Sequence, residues 1–100
     1  MTRYQFTPQA VDDLFEVWSY IAQESPESAD RVEAAIIAAC ETLAKSPFAG
    51  VTREDLTILP VRFWLVPAFP NYFIVYDPAT TPLRIIRILH RARHIPSLLP

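Results

Sequence analysis

Two hydroxyl–proline pairs, Thr7-Pro8 and Ser25-Pro26, head two stretches whose apolar residues recur at helical spacing. The Thr or Ser oxygen caps free N–H groups of a first turn, and proline suits the first helical position because its φ is already set and its N–H is not needed there. Val11, Leu14, Phe15, Trp18 and Ile21 come after the first pair at i, i+3, i+4, i+7 and i+10, which predicts a helix running to about Gln23 with that face buried. Asp12 and Asp13 complement its positive end. Ala29, Val32, Ile36, Ala39, Cys40 and Leu43 come after the second pair until Pro47 and the single glycine, Gly50. With so little chain between them, the two helices must double back as an antiparallel hairpin, and the alanines at 29, 34, 35, 38 and 39 allow close approach.

The hairpin needs a partner layer, and extended segments supply it. Residues 3–6 alternate as a short strand, and after a polar loop the pattern changes from helical period to strands over Leu59–Val66, Tyr72–Tyr76 and Leu83–Leu89. The link from Asp77 to Pro82 has turn formers without glycine, so the last two strands form a hairpin with a longer loop. Pro67 and Pro70 cannot donate to a ladder, which ends the Leu59–Val66 strand or puts it at an edge. The order β-α-α-β-β-β gives a two-layer α+β domain, a helical hairpin packed on a small, mainly antiparallel sheet. That arrangement leaves one sheet face without a cover. Phe63, Trp64, Phe69, Tyr72, Phe73 and Tyr76 exceed what one core layer absorbs, so an exposed aromatic surface beside a free strand edge is expected, suited to a docking peptide segment.

One hundred residues, 51% of them apolar, suffice for one domain with one core. Cys40 has no partner for an internal disulfide and sits in an apolar helix run, the pattern of a buried inert thiol in a reducing compartment. There is no leader-like N-terminal run, and the apolar stretches fall short of the ~18 residues of a spanning helix, so a soluble cytoplasmic protein without a membrane partner is expected. The formal charge of −2 is unevenly divided. Residues 1–50 carry three cations against eight carboxylates, a net of −5, whereas residues 51–100 carry six arginines against Glu54, Asp55 and Asp77, a net of +3. The local field at the C-terminal end therefore differs in sign from that of the helices.

Several chemistries find no residues. There is no glycine-rich phosphate loop, no nucleophile with an evident base and no cysteine cluster, so no cofactor and no catalytic set is assigned. His90 and His94 are four apart but lack a third ligand, so no metal site is expected. No helix-turn-helix with a basic face is present, which argues against direct sequence-specific DNA binding.

The order of elements and particular segments resemble the ParE/RelE superfamily of bacterial type II toxin–antitoxin toxins. The likeness runs from Tyr4-Gln5-Phe6-Thr7-Pro8-Gln9-Ala10 through Trp18-Ser19-Tyr20-Ile21 and Leu43-Ala44-Lys45-Ser46-Pro47. It is strongest in residues 69–76 and in 85–94, which look like the third strand and the fourth strand and tail of the ParE branch. The resemblance implies a toxin held inactive in a hetero-oligomer with a ParD-like antitoxin whose C-terminal segment wraps the toxin, with Trp64, Phe69, Tyr72 and Tyr76 as antitoxin-binding candidates. ParE-like members are associated with inhibition of DNA gyrase, and RelE-like members with ribosome-dependent cleavage of messenger RNA.

Metal-free RNA cleavage needs a proton acceptor for the 2′-hydroxyl, a donor for the leaving oxygen and cations around the transition state. RelE-like toxins supply several lysines and arginines, often with a late tyrosine; here Lys45 is the sole lysine and no tyrosine comes after Tyr76. The resemblance thus points to a gyrase-binding toxin, not an enzyme, with Arg62, Arg87, His90, Arg91, Arg93 and His94 as target-binding candidates. The alternatives are a RelE-like endoribonuclease, in which Arg62, Arg84, Arg87, Arg91 and Arg93 hold phosphate and His90 or His94 moves protons, and a non-toxic member that only binds antitoxin.

Overall fold

A computed structural model describes residues 3–92 and 95–99. The chain runs β1 (Tyr4–Phe6), α1 (Pro8–Ala22), α2 (Pro26–Lys45), β2 (Arg62–Leu65), β3 (Tyr72–Asp77) and β4 (Leu83–His90), with a 3-10 turn at Ile95–Ser97 after the last strand. Both caps form as the sequence dictates: Thr7 Oγ1 accepts from Ala10 N at 3.1 Å, and Ser25 Oγ accepts from Ser28 N at 3.1 Å. The four strands are ordered β1-β4-β3-β2; β2, β3 and β4 pair antiparallel and β1 lies parallel to β4. This is the expected α+β arrangement of two helices on a mixed sheet.

Three details differ from the sequence reading. The second strand is Arg62–Leu65 rather than Leu59–Val66, because Pro60 has no N–H and Val61 N turns back onto Leu59 O at 2.8 Å. Helix α1 buries a face centred on Ala10, Asp13, Leu14, Val17 and Ile21, not on Val11 and Phe15, which are 51% and 68% exposed. The helix is rotated from its most apolar orientation because Asp13 is drawn inward. Finally, the second sheet face is not open. The segment from Leu56 to Val61 and the C-terminal turn lie across it, and Val61, Phe63, Val75, Leu89, Ile95 and Leu99 form a second core there. Removing that apolar face from water is a larger gain than leaving it for a partner, and the chain has two spare segments long enough to do it.

The main core lies between the helices and the sheet, built from Val32, Ile36, Cys40 and Leu43 of α2 against Ile74, Tyr76, Ile85 and Ile88 of the strands. Burial, with a smaller contribution from Glu41, pushes the Cys40 thiol up to about 12. The folded protein is therefore expected to resist iodoacetamide at pH 8 and to be alkylated only when denatured, which mass spectrometry of the alkylated protein checks; labelling at equal rates in both states would refute it. Among the described residues no helix is long and apolar enough to cross a membrane.

Candidate functional site

Strand β4 organises the C-terminal end of the sheet, and it needs help to do so. Its first half is covered by β1, paired from Tyr4–Leu83 to Phe6–Ile85, but β1 stops where Thr7-Pro8 turns the chain into α1. The edge beyond Ile85 would expose unpaired backbone groups. Thr7 Oγ1 donates to Ile86 O at 2.7 Å, and the carboxylate of Asp13, one turn into α1, accepts from Ile88 N at 3.0 Å. A cap residue and a helix carboxylate thus take the place of a continued strand.

Asp13 also fixes Arg87. The guanidinium donates from Nε to Oδ2 at 2.8 Å and from Nη2 to Oδ1 at 2.9 Å, while Nη1 donates to Leu98 O at 2.9 Å and so ties down the C-terminal turn. The pair is largely buried, with side chains 17% and 10% exposed. The hydrogen bonds to Asp13 raise the Arg87 pKa above its already high ordinary value. A shift in the β3–β4 register near Val75/Tyr76, which leaves Ile86 without a paired residue, accompanies this placement. Arg87, a target-binding candidate by sequence, is a clamp between α1, β4 and the C-terminal turn.

A second clamp surrounds Gly50. Tyr76 is fully buried, and its hydroxyl accepts from Gly50 N at 2.8 Å; Arg62 Nη1 donates to Gly50 O at 2.7 Å, with its guanidinium 5.1 Å from the Phe48 ring centroid. Tyr76 has no surface for an antitoxin to touch, and Arg62 spends a donor on the loop. The antitoxin assignment of Tyr76 is corrected on that ground, while Arg62 stays half-exposed.

Of the remaining target-binding candidates, His90 and Arg91 stand together at the end of β4. The His90 ring meets Tyr72 edge-on at 5.3 Å between centroids, and Nδ1 accepts from Ala92 N at 3.0 Å, which leaves Nε2 to carry the proton of the neutral ring. On one side opens a cleft of about 670 Å³ whose polar lining is Arg53, Asn71, His90 and Arg91. Arg91 is exposed and its backbone N–H donates to Asn71 O at 2.7 Å, whereas Arg53 is held bidentately by Asp55 at 2.9 and 2.7 Å. On the other side, between α1 and β4, lies a groove of about 470 Å³. Arg93 and His94 lie outside the described residues.

A family model for the ParE toxin of the type II toxin–antitoxin system parDE matches residues 4–95. The chain belongs to the ParE toxin family. A solved structure described as the chromosomal ParDE toxin–antitoxin system from P. aeruginosa shares the fold, with a TM-score of 0.70 over 87% of this chain and 92% of that chain at 20% identity. No curated protein matches the chain significantly.

For a ParE-family toxin, an antitoxin partner is implied by the family. Of the aromatic candidates, Trp64, Phe69 and Tyr72 are half-buried and pack against the core between the helices and the sheet, as do Tyr4 and Phe6 of β1. Trp64 borders a small hollow between α2 and β2 lined by Ala35, Ala38, Ala39 and Thr42, and its buried Nε1 has no hydrogen-bond partner among the described residues. Asp13, Gly50, Asn71 and Arg53 were not singled out by sequence reasoning as site residues. Half of a signal for the first was present: an arginine between isoleucines on a strand is costly alone and calls for a carboxylate, but local spacing does not say which one.

Proposed function

We propose that this ParE-family protein is a toxin that inhibits DNA gyrase by binding it with the C-terminal end of β4, and that a ParD-like antitoxin neutralises it within a hetero-oligomer by covering Trp64, Phe69 and Tyr72. The observation that carries the reading is the division of the arginines. Arg87 is consumed by Asp13, Arg53 by Asp55 and, in part, Arg62 by Gly50, while Arg91 stands exposed beside His90 and Asn71 at the rim of the cleft. Around the cleft, Arg91 is thus the one arginine among the described residues left without an ion pair, which favours a protein contact there over broad phosphate affinity.

Purified protein is expected to block supercoiling by gyrase in vitro, and Arg91→Ala to weaken the block by about tenfold, roughly 1.4 kcal/mol, with an unchanged melting temperature because the side chain is exposed. An uninhibited gyrase, or full inhibition by the Arg91 variant, would overturn the assignment. The cleft that joins Arg53, Asn71, His90 and Arg91 also supports a second reading, ribosome-dependent RNA cleavage. That reading predicts messages cut in a pattern that tracks translation, with gyrase untouched; no growth arrest on expression without antitoxin would leave the non-toxic, antitoxin-binding reading.

A further inference from the structure

The groove between α1 and β4 is built differently from the cleft on the other side of His90. Helix α1 contributes Asp13, Glu16, Val17 and Tyr20, one face at i, i+3, i+4 and i+7, and the sheet contributes Tyr72, Ile88, Leu89 and His90. Val17 and Ile88 give it an apolar floor. Tyr72 and the 75% exposed Tyr20 place two phenols at one end, close enough that Tyr20 adds to burial in raising the Tyr72 pKa.

Its charge is not balanced. Arg87 satisfies Asp13, and although Glu16 contributes to the field at Arg87, it forms no ion pair among the described residues. Two carboxylates against one guanidinium leave an excess negative charge on a surface that also offers aromatic rings. A long side chain with an apolar stem and a cationic head matches both features: the stem covers the floor, and the head meets Glu16 and the ring faces. Arginine fits better than lysine, because its planar guanidinium stacks on an aromatic ring while donating in-plane hydrogen bonds to a carboxylate.

The backbone at the rim is suited to an extended partner. Arg91 N bonds Asn71 O across the β3–β4 ladder, and with the register Leu89–Phe73 and His90–Tyr72 this turns the backbone groups of Ile88 and His90 away from β3. They face the side where β1 has already ended, and Asp13 takes only the Ile88 N–H.

We propose that this groove is a binding site for an arginine side chain carried by an extended segment of a protein partner, with Glu16 as the charge partner and Tyr20 and Tyr72 as the aromatic walls. The site goes beyond the gyrase assignment and does not depend on it.

The test is a titration of the isotopically labelled full chain, monitored by NMR, with N-acetyl-arginine methylamide and with its uncharged citrulline counterpart. Fragment affinity in the millimolar range is expected for one side chain. Shifts should concentrate at Glu16, Tyr20, Tyr72 and residues 88–90, be about fivefold to tenfold weaker with citrulline, and weaken similarly in Glu16→Gln, whose exposed position leaves the fold unchanged. Equal binding of citrulline, undiminished binding by the Glu16 variant, shifts spread over the acidic faces of both helices, or no shift at tens of millimolar would each overturn the proposal. None of these outcomes bears on supercoiling, so failure here and failure of the gyrase reading are separable.

Discussion

Replacing Asp13 with alanine is expected to destabilise the fold by about 3–5 kcal/mol, because it leaves the buried Arg87 guanidinium without its carboxylate and the Ile88 N–H without its acceptor. For a domain of this size that corresponds to a fall in melting temperature of roughly 12 °C or more. The partner measurement distinguishes pairing from packing. Arg87→Met removes the charge along with its need for a partner, so the double variant Asp13→Ala/Arg87→Met should be more stable than Asp13→Ala alone. Circular dichroism melts of the three variants decide the matter; a loss below about 1 kcal/mol for Asp13→Ala would show that the pair does not hold α1 to β4.

The second large effect is expected at Gly50. Its backbone is not in a left-handed conformation, so the requirement is one of space. An added Cβ would lie 2.6 Å from the Tyr76 hydroxyl oxygen and 2.9 Å from Phe63 O, the latter a backbone atom in a β2 that is paired on both sides at that residue. Gly50→Ala should therefore force the loop away from the sheet, break the Tyr76–Gly50 hydrogen bond and cost about 3 kcal/mol from overpacking and lost bonding together. Tyr76→Phe should cost less, about 1–2 kcal/mol, by leaving the Gly50 N–H without its acceptor. Because both changes act on one contact, the double variant should lose less than the sum, and additive losses in denaturant unfolding would refute the shared mechanism.

The same tyrosine gives an alkaline dependence. Burial is the main cause that raises the Tyr76 pKa above 10.0, outweighing the opposing Gly50 hydrogen bond and Arg62 charge. A folded pKa above the unfolded one contributes stability that is complete below about pH 10 and lost as pH rises through the folded value. Tyr76→Phe should accordingly show a shallower decline in stability above pH 10 than the parent chain.

Much of this protein is legible along the chain. The two hydroxyl–proline pairs placed both helix starts, and the change of period placed β3 and β4 to within a residue or so. Each depends on residues a few positions apart, and such local preferences survive whatever the rest of the chain does. The helix-one face failed for the opposite reason. Counting apolar positions favours Val11 and Phe15, but the interaction of Asp13 with Arg87, 74 residues away, turns the helix so that they point outward. The uncovered sheet face failed likewise, since no periodicity in the loop or in the last residues indicates that they fold back across it.

The site was partly legible for the same reasons. His90 and Arg91 stand at the end of β4 as expected, because the length of a strand sets which residues stand at its end. The internal bonding of Arg87 and Tyr76 is not legible in this way, because a one-residue irregularity and a remote loop decide which polar groups find partners inside. Element order, the α+β class and the family all follow from local pattern and segment order along the chain. Which charges are consumed depends on the three-dimensional fold, because a buried arginine must meet a carboxylate wherever the chain can supply one; beside His90, Arg91 at one rim and Glu16 at the other have no ion pair among the described residues and are left for partners.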